Sequence, residues 1–180
     1  MQELKELLRN RPQDQDFDKP IRWTEGVKMT YFQACVKECL RCHPAVGQLM
    51  PREVPKGGVE ICGRFLREGT VVGCNAWTVH RDKNLYGENA DDFVPERWID
   101  SDPEQIRKME NLYFAFGAGP RTCIGKNIAM LEITKFIPEF FRRYEVTLVD
   151  PRRYRSSPGF LVSQSGLDII LQKRDPESLV

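Results

Sequence analysis

A chain of 180 residues, 41% hydrophobic and 29% charged, can bury the core of one ordinary domain. Its 27 basic and 26 acidic residues nearly cancel, so no strong field directs it to nucleic acid or to an anionic membrane surface. No apolar run approaches the roughly 20 residues that span a bilayer and residues 1 to 20 hold no apolar signal core, so the six cysteines read as free thiols or ligands, not as a disulfide framework.

In chain order, residues 1 to 10 place Met1, Leu4, Leu7 and Leu8 on one helical face. A helix this short is marginal alone, and it reads as the end of something longer. After a polar loop, Thr30 with Gln33 three residues on forms a capping-box signature, which opens a helix that stops before Pro44. Runs rich in β-formers near 49 to 54, 59 to 62 and 70 to 74 are set apart by PKGG and REG turn signals and predict a small hairpin-rich sheet. From about 80 to 120 the chain is rich in Pro, Gly, Asp and Asn with little periodicity. An irregular stretch of that length is usually functional or packed around something. Ile124, Ile128, Leu131, Phe136 and Phe140 then mark a helix over 124 to 144 despite Pro138 near its end. The tail predicts a strand at 145 to 149 and a hairpin turning at Gln164, Ser165 and Gly166.

Three motifs carry candidate chemistry. Cys35, Cys39 and Cys42 have the C-x3-C-x2-C spacing that can hold an iron-sulfur cluster in radical enzymes using S-adenosylmethionine. They fall inside the predicted helix, however, where steps of four and three form one stripe beside Phe32, and buried cysteine also behaves as a small hydrophobe. The glycine cluster in GAGPRTCIGK fails as a phosphate loop: Gly119 to Gly125 is one residue too long, and Asn127 stands where Ser or Thr would meet magnesium. It also fails as a dinucleotide fingerprint, because Thr122 occupies the third glycine position.

The third motif, F-x-x-G-x-R-x-C-x-G, supplies Phe116, Gly119, Arg121, Cys123 and Gly125. A thiolate ligand to iron needs a deprotonated sulfur, which the positive end of a following helix and a nearby arginine both favour. Glycines let the backbone approach a flat macrocycle and aim N–H groups at the sulfur. Phe116 can shield the sulfur from water, and Arg121 can reach an anionic edge of the cofactor. The structural alternative for this stretch is a buried cysteine at a helix start after a glycine turn.

This stretch resembles the cysteine-ligand loop of the cytochrome P-450 family, the haem-thiolate monooxygenases. Glu38 and Arg41 in ECLR match the family's E-x-x-R, and Phe93, Pro95, Glu96 and Arg97 in FVPERW match its F-x-P-E-R signature. Alone, each of these two is weak, since a Glu and Arg three apart on a helix are usually a surface pair. The three motifs run in family order, and the likeness covers nearly the whole chain. GVEICGRF, GTVVGCNAW and HRD resemble fungal members of the pisatin-demethylase type.

The resemblance implies a mainly α fold with small β-sheets, the C-terminal part of the cytochrome P-450 fold, with residues 1 to 180 as one C-terminal portion. Cys123 would be the proximal ligand of haem b (iron protoporphyrin IX), the only catalytic element in the chain. Arg52 and Arg121 would hold the haem propionates, while Glu38, Arg41 and Arg97 would form a buried charge cluster that locks the irregular segment beneath the haem. Residues 45 to 50 and 160 to 166 correspond to substrate-facing segments. Their apolar members Val46, Leu49, Met50, Phe160 and Leu161 suit a lipophilic small molecule or, equally, plain core.

The implied activity is insertion of one oxygen atom from O2 into such a molecule, in fungal secondary metabolism or detoxification, with electrons from NADPH through NADPH-cytochrome P-450 reductase. No A/G-G-x-[DE]-T-[TS] stretch occurs, so the expectation is that the membrane anchor and the distal oxygen-activating helix are absent. A truncated, inactive haem-binding fragment is therefore the alternative. A full-length member would sit on the cytosolic face of the endoplasmic reticulum, held by an N-terminal anchor. This chain alone reads as cytoplasmic.

Overall fold

The structure, a computed structural model, describes residues 1–11 and 19–175. It begins with helix α1 (Gln2–Arg9), whose Leu4 and Leu8 are buried with Ile21 and Met29 in a first apolar cluster. A short helix α2 (Trp23–Gly26) lies where the sequence predicts only a polar loop. Helix α3 (Thr30–Cys42) ends at His43, just before Pro44, as its sequence requires.

The capping-box expectation for α3 is overturned. Met29 is the N-cap and offers no side-chain bond, while the Gln33 amide donates to the Gly26 carbonyl. The open N–H groups of Tyr31 and Phe32 donate instead to the Glu3 carboxylate, at 2.8 and 2.9 Å. A carboxylate at a helix N-terminus satisfies orphan donors and opposes the helix dipole, so α1 caps α3 across the fold.

Strands β1 (Met50–Glu53), β2 (Val59–Ile61), β3 (Arg64–Leu66) and β4 (Val71–Cys74) follow. β1 pairs with β4 and β2 with β3, both antiparallel. The supposedly irregular segment contains more regular structure than its composition suggests. Helix α4 (Ala76–Val79) leads into it, and helix α5 (Lys83–Tyr86), a 3-10 turn at Pro95–Trp98 and helix α6 (Pro103–Asn111) divide it. Asp102 caps α6 through the Glu104 N–H and Pro103 opens its first turn. Ala34, Leu85, Ala90, Trp98 and Met109 form the second core cluster around Tyr86.

Helix α7 (Lys126–Arg143) starts two residues later than the apolar pattern implies. Its buried face is Thr134, Pro138 and Arg142, whereas Ile128, Leu131 and Phe136 are exposed and Ile124, just ahead of the helix, is 101% exposed. Pro138 has no N–H for the Thr134 carbonyl. That carbonyl faces Gly26 of α2, where an added Cβ would lie 2.5 Å from it. Only glycine admits this approach, and Glu139 fastens the same junction by accepting the Ile21 N–H.

The predicted terminal hairpin is also corrected. The tail forms β5 (Tyr144–Leu148), β6 (Arg155–Ser157), β7 (Ser163–Ser165) and β8 (Ile169–Lys173). The segments flanking Gly166 do not pair with each other: β7 pairs with β6 and β8 with β5. Gly166 does turn the chain, at φ +75°, but it turns it between two separate ladders.

Candidate functional site

Glu38 and Arg41 are fully buried on α3, and Arg97 is brought to them by the 3-10 turn at Pro95–Trp98. One Glu38 oxygen accepts from Arg41 Nη2 at 2.8 Å, Val94 N at 2.9 Å and Arg97 Nε at 3.0 Å. The other accepts from Arg41 Nε and from Trp98 Nε1, both at 2.8 Å. Burial alone pushes the carboxyl up, but the bonds from Arg41, Val94 and Trp98 outweigh it and hold Glu38 below the usual carboxylate range.

The two arginines also donate to backbone carbonyls. Arg41 reaches the carbonyls of His80, Ala90 and Asp92, and Arg97 those of Tyr86 and Asn89. Of these five bonds, the three from Arg41 pin the 76–98 segment to α3, and the two from Arg97 tie that segment to itself. Glu96 and Phe93, which share the motif with Arg97, lie outside this cluster: both are exposed, and Glu96 accepts the Tyr31 hydroxyl at 3.0 Å.

The cysteine loop runs from Phe114 to Gly125. Its closure is a backbone bond from Cys123 N to Phe116 O at 2.8 Å. Gly117 and Gly119 adopt φ of +72° and +63°, which side-chain-bearing residues resist, and a Cβ at Gly119 would meet nothing within 4 Å. The loop therefore presents bare backbone on one side. Cys123 is exposed, with its sulfur 3.8 Å from where a Gly125 Cβ would sit. Gly125 is the N-cap of α7 and Lys126 its first residue, so the cysteine precedes the helix by two more steps than the sequence suggests. Lys126 Nζ stands 5.9 Å from the Phe116 ring centroid.

Arg121 is exposed on this loop. Arg52 is exposed on β1, its Nη1 donating at 2.7 Å to the neighbouring Pro51 carbonyl. Met50, two residues before Arg52 and on the same strand face, places its sulfur 4.0 Å from a Cβ at Gly117. The strand and the loop are thus neighbours. Residues 45 to 50 and 160 to 166 also meet: Val46 bridges Leu161, and Gly47 N donates to Phe160 O at 3.1 Å. Leu49, Phe160 and Leu161 are exposed in this chain.

The iron-sulfur alternative fails on geometry. Cys42 is buried, Cys35 half-buried and Cys39 exposed, and burial pushes the thiols of Cys35 and Cys42 up, away from the thiolate a cluster needs. Among the described residues no three His, Cys, Asp or Glu side chains are gathered to hold a metal ion.

With one exposed soft sulfur, bare glycine backbone around it and two exposed guanidiniums on adjoining elements, the residues present fit a flat, thiolate-ligated group with an acidic edge. The Cytochrome P-450 family profile matches residues 1–171. The chain belongs to the cytochrome P-450 family. It is 46% identical over 131 residues to pisatin demethylase of Fusarium vanettenii, an alignment covering 73% of this chain and 25% of that protein. A cytochrome P-450 monooxygenase of Aspergillus terreus is 44% identical over 147 residues, 82% of this chain and 30% of the relative. The monooxygenase esdpH of Penicillium shearii is 39% identical over 171 residues, 94% of this chain and 34% of the relative. The chain spans about a quarter to a third of the length of these relatives.

Membership implies haem with a cysteine thiolate. The helix-rich architecture with small antiparallel sheets is that of a C-terminal portion of the P-450 fold. No helix among the described residues is long and apolar enough to cross a membrane. Sequence reasoning missed two residues of the buried site, Trp98 and His80. Trp98 adjoins the FVPER motif, and a buried indole needs an acceptor; His80 stood in HRD without a partner to suggest its role.

Proposed function

We propose that Cys123 is the thiolate ligand of haem b and that the chain is the proximal part of a monooxygenase acting on a lipophilic small molecule. The observation that carries this is the exposed cysteine in a loop closed by its own backbone, beside α7, with β1 as its neighbour. Arg121 and Arg52 would bind the propionates. Phe116 and Lys126 would cover the outer side of the loop, and Gly119 and Gly125 would leave its backbone open to a flat ring. Glu38, Arg41 and Arg97 would hold the 76–98 segment rigid beneath the site, as positioning residues that touch no reactant. Haem, when bound, supplies the redox chemistry that activates O2. Val46, Leu49, Met50, Phe160 and Leu161 would offer the apolar contact for the substrate.

Electrons would come from NADPH through a P-450 reductase, and the compound oxidised would belong to fungal secondary metabolism or detoxification. For the complete protein, attachment to the endoplasmic reticulum membrane belongs to the same reading. A second reading, a haem-binding portion with no turnover of its own, is favoured by the exposed apolar run Ile124, Ile128, Leu131 and Phe136 next to the site. Haem-loaded protein supplied with reductase, NADPH and labelled O2 against a panel of lipophilic compounds separates the two. Incorporation of one labelled atom supports the first, and haem binding without incorporation supports the second.

A further inference from the structure

We infer that His80 is a positioning residue whose uncharged ring ties the start of the cysteine loop to the buried charge cluster. The ring sits at the end of α4 and is fully buried. Its Nε2 lies 2.8 Å from Phe114 N, and its Nδ1 lies 3.1 Å from the Arg41 carbonyl. A backbone N–H can only donate, so Nε2 must be the acceptor. The single ring proton then belongs on Nδ1, where it donates to Arg41 O. Tyr113 stacks on the imidazole at 5.3 Å and 12°, and Tyr86 meets it edge-on at 6.3 Å, which fixes its orientation.

From this ring a path of hydrogen bonds reaches the sulfur-bearing residue. His80 Nε2 holds Phe114 N, Phe114 O holds Gly117 N at 3.0 Å, and Phe116 O holds Cys123 N at 2.8 Å. In the other direction His80 offers its own carbonyl to Arg41 Nη1. The residue therefore joins α3 to the loop on three of its polar atoms.

A second proton on the ring would break the tie, because Nε2 would become a donor facing the Phe114 donor. The groups around the ring oppose that proton. Burial is the largest influence; Arg41 and Arg81 add like charge, and only the bond to the Arg41 carbonyl and the more distant Glu38 favour it. Tyr86 and Tyr113 remain neutral phenols, both pushed up by burial. Together they bring His80 down to about 4. Opening the loop frees His80 to titrate at its ordinary value, so opening becomes easier as pH falls below it.

The inference rests on Cys123 being the haem ligand, and its test reads the tie and the ligand separately. Amide exchange at Phe114 is measured in the full 180-residue chain as a protection factor, with Val54, whose N–H donates to Thr70 O, as the control. Protection at Phe114 should fall about tenfold per pH unit from 6.5 towards about 4, with Val54 less affected. His80→Gln, which can both accept and donate but does not titrate there, should keep protection and lose the pH dependence. His80→Leu should lower protection at Phe114 at least about tenfold at neutral pH, the size of one lost hydrogen bond of this kind. In haem-loaded protein His80→Leu should also weaken the thiolate signature of the ferrous carbon monoxide spectrum, with His80→Gln restoring it. If His80→Gln retains the wild-type pH dependence at Phe114, or folded His80→Leu leaves Phe114 protection unchanged, the inference is overturned. If Phe114 responds as expected but wild-type protein shows no thiolate signature, the tie stands and the assignment of Cys123 fails.

Discussion

Glu38 shows how much depends on a single side chain here. Its two oxygens organise Arg41, Arg97, Trp98 and the Val94 backbone, all in a region closed to water. Removing one partner of such a cluster costs about 3–5 kcal/mol, because the remaining charges stay buried without compensation. Glu38→Ala should therefore fail to fold or unfold at far lower urea than wild type, and a normal midpoint would show that the cluster is not structural. His80 contributes in a different pH range. Its folded value of about 4 lies below the ordinary 6.5, so the unfolded chain takes up the proton first as pH falls. The contribution is intact above about 6.5 and is lost towards about 4, by on the order of 3 kcal/mol in all. Urea unfolding of wild type and His80→Gln at pH 7 and pH 5 checks this, and equal slopes with pH would contradict it. Glu38, held below its usual range, adds a further loss only at lower pH, where its carboxyl takes up a proton. The E-x-x-R pair was legible in the sequence from motif order. The role of His80 was not, because its partners Arg41 and Phe114 lie 39 and 34 residues away.

The helices are held by one another's side chains and backbone more than by local signals. Glu3 on α1 caps α3, so Glu3→Ala should lower stability by about 1 kcal/mol and fray the start of α3. Loss of exchange protection at Tyr31 and Phe32 without change in β1 would show it, and unchanged protection there would refute it. Gly26→Ala should cost about 1–3 kcal/mol, since the added methyl would press on the Thr134 carbonyl that Pro138 leaves free. A thermal midpoint equal to wild type would contradict that packing. These junctions explain the limits of the sequence reading at this scale. The helical period revealed α1, α3 and α7, but the local Thr30–Gln33 signal lost to a carboxylate from another helix. Helix α6 was legible in Asp102, Pro103 and Glu104, a cap, a first-turn proline and an acidic first turn, yet the surrounding Pro and Gly content hid it. In the tail, strand-forming stretches were recognisable while their partners were not, since β5 pairs with β8 across the β6–β7 ladder.

Across the whole molecule, the two motifs furthest apart in sequence serve one arrangement. α3 and the 76–98 segment form the rigid base, and the cysteine loop hangs from it through Phe114 before entering α7. Membership of the family was readable from three motifs in order; the exposure of the α7 face was not, because the same apolar period that marks a helix ordinarily marks its buried side. Val46 with Leu161 and Gly47 with Phe160 bring the two candidate substrate segments together, a pairing that no local pattern encodes. The central claim is that Cys123 gives its sulfur to haem iron. Its most direct test is the ferrous carbon monoxide spectrum of haem-loaded wild type and Cys123→Ser, with circular dichroism as a check on folding. Cys123 is exposed and its side chain supports no packing cluster, so the serine variant should keep the wild-type fold. The account predicts a strongly red-shifted Soret band in wild type and its loss in Cys123→Ser; the same band in both proteins would contradict it.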